Sequence, residues 1–212
     1  MIIALGGTSK GGVGKTTAAA SLAHLLKAKL VENDIRGQLK CIENFREHSE
    51  LEKLDVEYPK NKTDLIKVLE KSTKDNCIVI DCGGYDSELI RIALAASDLV
   101  IAPCKNSTLE QSSLIEFHSV IADVSVNVKR KIDVHILRNR IHPSTTNFED
   151  FEYISTEFKY FKLLNTVIRQ RVDFEKAMEK GASVTELKKY KHSRSAKEIK
   201  ALVTEIKSLI KL

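Results

Sequence analysis

The sequence predicts an α/β fold, a mainly parallel, twisted sheet with helices on both faces. Short apolar runs typical of strands alternate with helical patterns along the whole chain, as in proteins with parallel sheets. The runs, such as Ile78-Val79-Ile80, are apolar without alternation, as expected of strands that are covered on both faces. No repeat and no Pro- or Gly-rich linker interrupts the pattern, so we expect a single domain over residues 1–212.

The expected elements follow the positions of these runs. Six strands are predicted at residues 2–5, 30–33, 77–81, 99–102, 132–137 and 160–163. Helices are predicted at residues 15–27, 61–73, 86–96, 108–124, 146–158, 172–180 and 195–211. Three of the helices begin with a Ser or Thr that is followed three residues later by Glu, the pattern of a capping box. The three pairs are Ser107 with Glu110, Thr146 with Glu149, and Ser195 with Glu198.

The composition is that of a soluble globular protein, with 42% hydrophobic and 30% charged residues. No apolar stretch approaches the roughly 20 residues that span a membrane, and the first strand begins too early to leave room for a signal peptide. The four cysteines form no C-x-x-C pair, which disfavours iron–sulfur chemistry. The composition therefore predicts a cytoplasmic protein with reduced thiols.

A glycine-rich segment, residues 10–17, lies directly between the first strand and a helix. Glycines let backbone N–H groups converge on phosphate oxygens, and the helix directs its positive end at the same anion. Lys15 is expected to reach the terminal phosphates, and the Thr16 hydroxyl to hold Mg²⁺. The pattern G-x-x-x-x-G-K-[ST] is not met, because Ser9 stands at the first glycine. The predicted nucleotide-binding residues of this segment are Lys10, Gly11, Gly12, Val13, Gly14, Lys15, Thr16 and Thr17.

Two aspartates are candidates for the metal site, together with Thr16. Asp81 ends an apolar strand and precedes two glycines, so its carboxylate is expected at the ligand edge of the sheet, where it would position Mg²⁺. Asp34 ends the preceding predicted strand, where it is expected to orient an attacking water or to help hold the metal. An aspartate that only caps a turn is the alternative for Asp34.

These motifs resemble a known family. The segment Lys10-Gly-Gly-Val-Gly-Lys-Thr-Thr17 resembles the deviant Walker A motif of the ParA/MinD group of ATPases, which have the P-loop NTPase fold. Residues 80–87, continuing to 96–103, are similar to the same region of short ParA-type partition ATPases, and residues 136–143 and 181–186 also look like family segments. The resemblance therefore extends along nearly the whole chain.

The resemblance implies a role for each residue that matches a family motif. Lys10 matches the signature lysine, which reaches across a homodimer to the partner's ATP. Lys15, Thr16 and Asp81 match the phosphate lysine, the Mg²⁺ hydroxyl and the Walker B aspartate. The implied cofactors are ATP and Mg²⁺, and the implied reaction is a weak hydrolysis of ATP to ADP and phosphate. Lys10, Lys15 and Asp34 are then the catalytic candidates.

The chain departs from the family at one motif. Asp34 and Gln38 fit a family segment of the form D-x-D-P-Q, whose first aspartate supports hydrolysis, but Arg36 and Gly37 replace its second Asp and its Pro. Asn139 matches an asparagine that lies near the adenine in family members, and a capping role is the alternative for it.

The function implied by the resemblance is segregation of plasmid or chromosomal DNA. An ATP-bound dimer would bind nonspecific DNA on the nucleoid, and a centromere-binding ParB-like adaptor would trigger its release. The charge distribution fits a polyanion partner, since residues 129–212 hold 19 basic and 11 acidic residues against 15 and 18 in residues 1–128. The candidates for phosphate contacts are Arg169, Arg171, Lys188, Lys189, Lys191 and Arg194.

The alternative function is that of a MinD-like or other ParA-like positioning ATPase, which acts on a membrane or a protein cargo. Residues 195–212 are amphipathic, as the membrane-binding tail of MinD is, but they lack the aromatic residues and the strongly basic face of a membrane helix. We therefore expect this last helix to pack on the sheet, and membrane binding is the less favoured interpretation.

Overall fold

The computed structural model describes residues 1–7, 11–34, 37–84 and 86–210 of the protein. The predictions made for Lys10, and for the replacement at Arg36, concern residues outside these ranges. The described strands are β1 Ile2–Leu5, β2 Lys29–Asn33, β3 Val56–Glu57, β4 Ile78–Cys82, β5 Leu99–Cys104, β6 Val134–Ile141 and β7 Phe161–Arg169. The described helices are α1 Lys15–Leu26, α2 Gln38–His48, α3 Lys62–Leu69, α4 Glu88–Ala96, α5 Thr108–Asn127, α6 Glu149–Glu157, α7 Val172–Met178 and α8 Arg194–Leu209.

The seven strands form one sheet in the order β3-β2-β4-β1-β5-β6-β7, and all neighbouring strands are parallel. The predicted α/β fold with a parallel sheet is therefore confirmed. Strand β1 lies between β4 and β5. After β1 the chain passes through α1 to β2 on the β4 side of the sheet, whereas β5 to β7 lie on the other side of β1. Reversals of this kind open a crevice at the carboxyl ends of the strands, where ligands bind in such sheets.

Helices cover both faces of the sheet, and each face has its own apolar core. On one face, residues of α3, α4, α5 and α6 pack on alternate strand residues such as Ile78 and Ile136. On the other face, α1, α2, α7 and α8 pack on Val79, Ile101 and Leu137. Every residue of β1, β4 and β5 is buried, which explains why these runs are apolar without alternation.

Helix α8 packs against the sheet, as the sequence predicts. Its apolar residues Ile199, Leu202 and Ile206 are buried in the second core, beside Ile168 of the edge strand β7. None of the helices in the described part of the chain is both long and apolar enough to cross a membrane.

Several boundaries differ from the predicted ones. Helix α2 was not predicted. Its apolar pattern is weak, because only Leu39, Ile42 and Arg46 of its residues are buried. The residue before it is a glycine with φ of 63°, not a residue with a polar capping side chain. The two-residue β3 was also missed, and β7 extends to Arg169, six residues beyond its predicted end.

The three predicted capping boxes are not formed as expected. Ser107 precedes α5 but its hydroxyl makes no capping hydrogen bond. Helix α6 begins after Phe148 rather than after Thr146. Helix α8 begins after Ser193, whose hydroxyl accepts a hydrogen bond from the Ala196 N–H. The capping motifs thus predicted approximately where each helix begins, but they did not predict which side chain caps it.

Candidate nucleotide-binding site

The glycine-rich loop follows β1 and leads into α1, as predicted. Gly12 and Gly14 have φ of 86° and 89°, a left-handed conformation that favours glycine. Gly14 also has no room for a side chain, because a Cβ there would lie 2.5 Å from Asn139 Nδ2. Helix α1 begins at Lys15, and its first residues border the cavity that residues 11–17 line.

Lys15 lies deep in this loop, with only 9% of its surface exposed. Burial lowers the pKa of Lys15, and the carboxylates of Asp81 and Asp34 partly offset this effect. Burial of an ammonium group is costly, and such positions are common where a protein binds a charged ligand.

Asp81 is the fourth residue of β4, and it pairs with Leu5 at the end of β1. Its side chain is buried and hydrogen-bonded to the Thr16 side chain. Burial raises the pKa of Asp81 to about 7, although the hydrogen bond to Thr16 and the charge of Lys15 favour the ionised form. Among the described residues, none makes a hydrogen bond to Asp81 Oδ2. A buried carboxylate oxygen beside a threonine hydroxyl is a donor set that fits Mg²⁺, a hard cation that prefers oxygen ligands.

Two adjoining cavities lie along the loop. The larger, of about 470 Å³, is bordered by residues 11–17, Asp34 and the first turns of α2. The smaller, of about 180 Å³, is mostly apolar and lies between Ile168, Phe174 and Met178 at the ends of β7 and α7. The residues common to both cavities are Gly14, Thr17, Arg140 and Met178. The two cavities together can take a molecule with an anionic end and a flat apolar end.

The predicted site residues in the described ranges are brought together here. The loop residues and Asp34 border the larger cavity, and Asp81 contacts Thr16 beneath the loop. Asn139 is buried, lines the smaller cavity, and donates a hydrogen bond from Nδ2 to the Val13 carbonyl at 2.6 Å. The described residues contain no cluster of three His, Cys, Asp or Glu side chains suited to a metal, so Mg²⁺ here would need further oxygen ligands.

Sequence reasoning missed two charged residues at this site. Arg140 Nη1 donates a hydrogen bond to the Gly12 carbonyl at 2.8 Å. Glu110 is buried, and its charge acts on Lys15 instead of forming the predicted capping box with Ser107. Arg140 could have been found from its place near the carboxyl end of a strand, whereas Glu110 gave no signal other than the capping pattern.

The candidate DNA-binding residues fall into two groups. Arg169 donates hydrogen bonds to the carbonyls of His142 and Thr145, and Arg171 forms an ion pair with Glu198 at 2.8 Å. Both of these arginines also border the smaller cavity. The remaining candidates are exposed, and they lie between α7 and α8 or at the start of α8: Lys188, Lys189, Lys191 and Arg194.

The chain is similar in fold to several proteins of known structure. A putative plasmid partition protein from Borrelia burgdorferi B31, solved with AMPPNP, is 19% identical, with 98% of this chain and 97% of that chain covered and a TM-score of 0.64. McdA from Cyanothece, solved as an ATP complex of a variant, is 14% identical, with 97% and 96% covered and a TM-score of 0.69. MinD from Pyrococcus horikoshii, solved with Mg-ADP, is 18% identical, with 98% and 96% covered and a TM-score of 0.68.

These likenesses confirm the predicted P-loop NTPase fold. A comparison with the sequences of curated proteins gave no significant match. The family model described as the CobQ/CobB/MinD/ParA nucleotide binding domain matches residues 7–184, which include the loop, Asp34, Asp81 and Asn139. With the phosphate-loop geometry and this match along most of its length, the chain belongs to the CobQ/CobB/MinD/ParA family of nucleotide-binding domains.

Proposed function

We propose that the protein is a Mg²⁺-dependent ATPase whose ATP-bound dimer binds DNA without sequence preference and releases it after hydrolysis, thereby segregating plasmid or chromosomal DNA. The observation that carries the proposal is the convergence of Lys15, Thr16 and Asp81 at one phosphate loop, with Asp34 on the same cavity. This arrangement suits a nucleoside triphosphate with one metal ion.

Each of these groups has a role in the proposed reaction. Backbone N–H groups of residues 11–16 and the Lys15 ammonium would bind the phosphates. Thr16 and Asp81 would hold Mg²⁺, and the metal would neutralise phosphate charge during hydrolysis. Asp34 borders the same cavity and would orient the attacking water. The apolar cavity would hold the adenine, beside Asn139.

Dimerisation is proposed to depend on ATP through Lys10. Two nucleotides that face each other across a dimer bring many negative charges together, and a lysine from each side would neutralise part of this charge. Loss of the terminal phosphate would remove the group that Lys10 binds, so the dimer would dissociate. ATP binding and hydrolysis would thus time the attachment to DNA.

The proposed DNA surface is the exposed basic segment between α7 and α8. Four lysines border a shallow depression of about 340 Å³ there, and they are Lys176, Lys180, Lys188 and Lys189. Lys176 pairs with Glu179, which leaves most of the positive charge of the depression to the other three. Because Arg169 and Arg171 already have partners within the chain, we place the phosphate contacts on Lys188, Lys189, Lys191 and Arg194.

Positioning of a membrane or a protein cargo is the second candidate function. It is favoured by the likeness to MinD and McdA, whose folds match over nearly the whole chain. Membrane attachment through α8 is less favourable here, because its apolar residues pack on the sheet and would have to leave the core to enter lipid.

Co-sedimentation with plain DNA and with anionic liposomes, each with ATP and with ADP, tests the proposal. We expect binding to DNA with ATP only, and weaker binding as salt increases. A K188A/K189A double variant should lose DNA binding but keep its affinity for ATP. A K67A/K71A variant, which replaces one exposed lysine of α3 and one just after this helix, should bind both normally. Binding of the wild type to liposomes instead of DNA, or equal DNA binding with ADP, would contradict the partition function.

The K10A substitution tests the dimer. We expect the K10A protein to bind ATP as a monomer and to lose both the ATP-dependent dimer and its DNA binding. Light scattering with ATP measures the dimer directly. A K10A protein that dimerises normally with ATP would contradict the proposed role of this lysine.

Asp34 is tested by its replacement with alanine. Because Asp34 would orient the attacking water rather than bind the phosphates, D34A should bind ATP but hydrolyse it at least about tenfold more slowly. We expect a D34A dimer that persists for longer on DNA after ATP is added, as followed by phosphate release and by dissociation from DNA. An unchanged rate of hydrolysis would show that Asp34 only caps a turn.

A further inference from the structure

Arg140 has an unusual backbone conformation next to the phosphate loop. It is the seventh residue of β6, and its φ of 52° lies in the left-handed region that side chains other than glycine rarely adopt. Strained backbone of this kind persists only where other contacts hold it, and it occurs often at functional sites. Arg140 lies where the pairing of β6 with β7 shifts register, between Arg138 and Ile141, and its Nη1 donates a hydrogen bond to the Gly12 carbonyl at 2.8 Å.

The second contact of Arg140 is weaker. Its Nη2 lies 3.8 Å from Glu175 Oε1 of α7, and the two side chains are 37% and 62% exposed. An ion pair that is long and exposed contributes little to stability. The bond to the loop is therefore the stronger of these two side-chain contacts, and the irregular pairing of β6 directs the Arg140 side chain to it.

The bond to Gly12 fixes the direction of a neighbouring N–H group. In a trans peptide the carbonyl of one residue and the N–H of the next point in opposite directions. Arg140 draws the Gly12 carbonyl towards β6, so it directs the Val13 N–H away from β6. Asn139 does the same one residue later, because its bond to the Val13 carbonyl directs the Gly14 N–H. Val13 and Gly14 both border the larger cavity.

We propose that Arg140 is a positioning residue, which orients the Val13 N–H towards the phosphates of a nucleoside di- or triphosphate. The inference rests on the proposed nucleotide function and names a residue that the phosphate-loop motif does not contain. Because the guanidinium acts on the loop carbonyl, its effect is present before nucleotide binds. The left-handed backbone of Arg140 reduces the stability of the free protein.

The R140G variant separates binding from stability. Glycine adopts the left-handed conformation without strain, so R140G removes the guanidinium and relieves the backbone. We expect ADP to bind R140G about tenfold more weakly in isothermal titration, the effect of one lost hydrogen bond that acts on a charged ligand. The melting temperature of free R140G should equal or exceed that of the wild type. Amide hydrogen exchange of residues 11–14 in the free protein should become faster.

Two further variants complete the test. R140K keeps one donor and one charge, so it should recover most of the affinity that R140G loses. Arg138 is a matched control on the same strand, where its Nη2 donates to the Leu164 carbonyl at 2.9 Å away from the loop. R138Q should therefore bind ADP with the affinity of the wild type, whatever its melting temperature.

Each other outcome contradicts the inference. Wild-type affinity in R140G, or affinity in R140K as low as in R140G, would show that the guanidinium does not position the loop. Weaker binding together with a lower melting temperature in R140G would indicate a purely structural role. If the wild type itself does not bind ADP in the same titration, the proposed nucleotide function fails and this inference fails with it.

Discussion

The K15A protein is expected to fold and to lose its affinity for ADP and ATP by at least about 100-fold, the effect of removing a charge-assisted contact to phosphate. Lys15 is buried with carboxylates nearby, and a bound nucleotide would supply the anion that this position favours. Its replacement leaves Asp81 and Asp34 without the cation between them, so the carboxylates would repel the phosphates.

Thermal unfolding with and without Mg-ADP measures this loss. A ligand at about 100 times its dissociation constant stabilises the folded state by roughly 2.7 kcal/mol, and we expect this increment to disappear in K15A. K67A, on the exposed side of α3, serves as the control and should keep it. A K15A protein that Mg-ADP stabilises as it does the wild type would remove the basis of the nucleotide assignment.

The R46A protein is expected to lose about 3–5 kcal/mol of its free energy of unfolding, as measured for broken buried ion pairs. Arg46 is 2% exposed, lies on α2, and forms an ion pair with Glu186 at 2.8 Å. It also donates hydrogen bonds to the carbonyls of Glu52 and Gly181, each at 2.9 Å. Alanine would remove the guanidinium from the buried Glu186 carboxylate, which among the described residues would keep only its contacts to His24 and to the Ser183 N–H. It would also remove the donor to two backbone carbonyls.

Urea unfolding compares R46A with R91A, a matched arginine variant. Arg91 pairs with Asp86 at the surface, where the two side chains are 34% and 41% exposed, so its loss should change the free energy of unfolding by less than about 1 kcal/mol. Equal effects of the two substitutions would show that burial does not set the strength of the Arg46 contacts. Because α2 carries Gln38 and Cys41 into the larger cavity, we also expect R46A to bind ADP more weakly.

The phosphate loop, Asp81 and the parallel sheet were predictable because their signals are local. A glycine-rich loop after an apolar run, and an aspartate at the end of another, each require only a few adjacent residues and the rule that strand ends meet at one edge. The prediction of Lys10 rests on the same local pattern, and it stays a prediction. Helix α2 and strand β3 gave weak signals, since one has three buried residues and the other only two residues in all.

The roles of Arg46, Glu110 and Arg140 could not be predicted, because their partners are distant in sequence. Arg140 contacts Gly12 across 128 positions, and Arg46 contacts Glu186 across 140. Charged residues in a sequence are expected at the surface, and only the folded chain shows which of them are buried. The same reason explains why the sequence does not show that Arg169 and Arg171, two candidates for phosphate contacts, have partners within the chain.

The residues shared by the two cavities also affect which ligands the site can bind with high affinity. Gly14, Thr17 and Arg140 border both spaces, so one ligand can occupy the two at once. A molecule that joins a ring to phosphates loses its translational freedom once, whereas a separate ring and a separate phosphate would each lose it. The gain from this chelate effect depends on the length of the connecting group, since a linker that is too short or too long loses the advantage. A nucleotide whose sugar matches the separation of the two cavities would therefore bind more tightly than its separate parts.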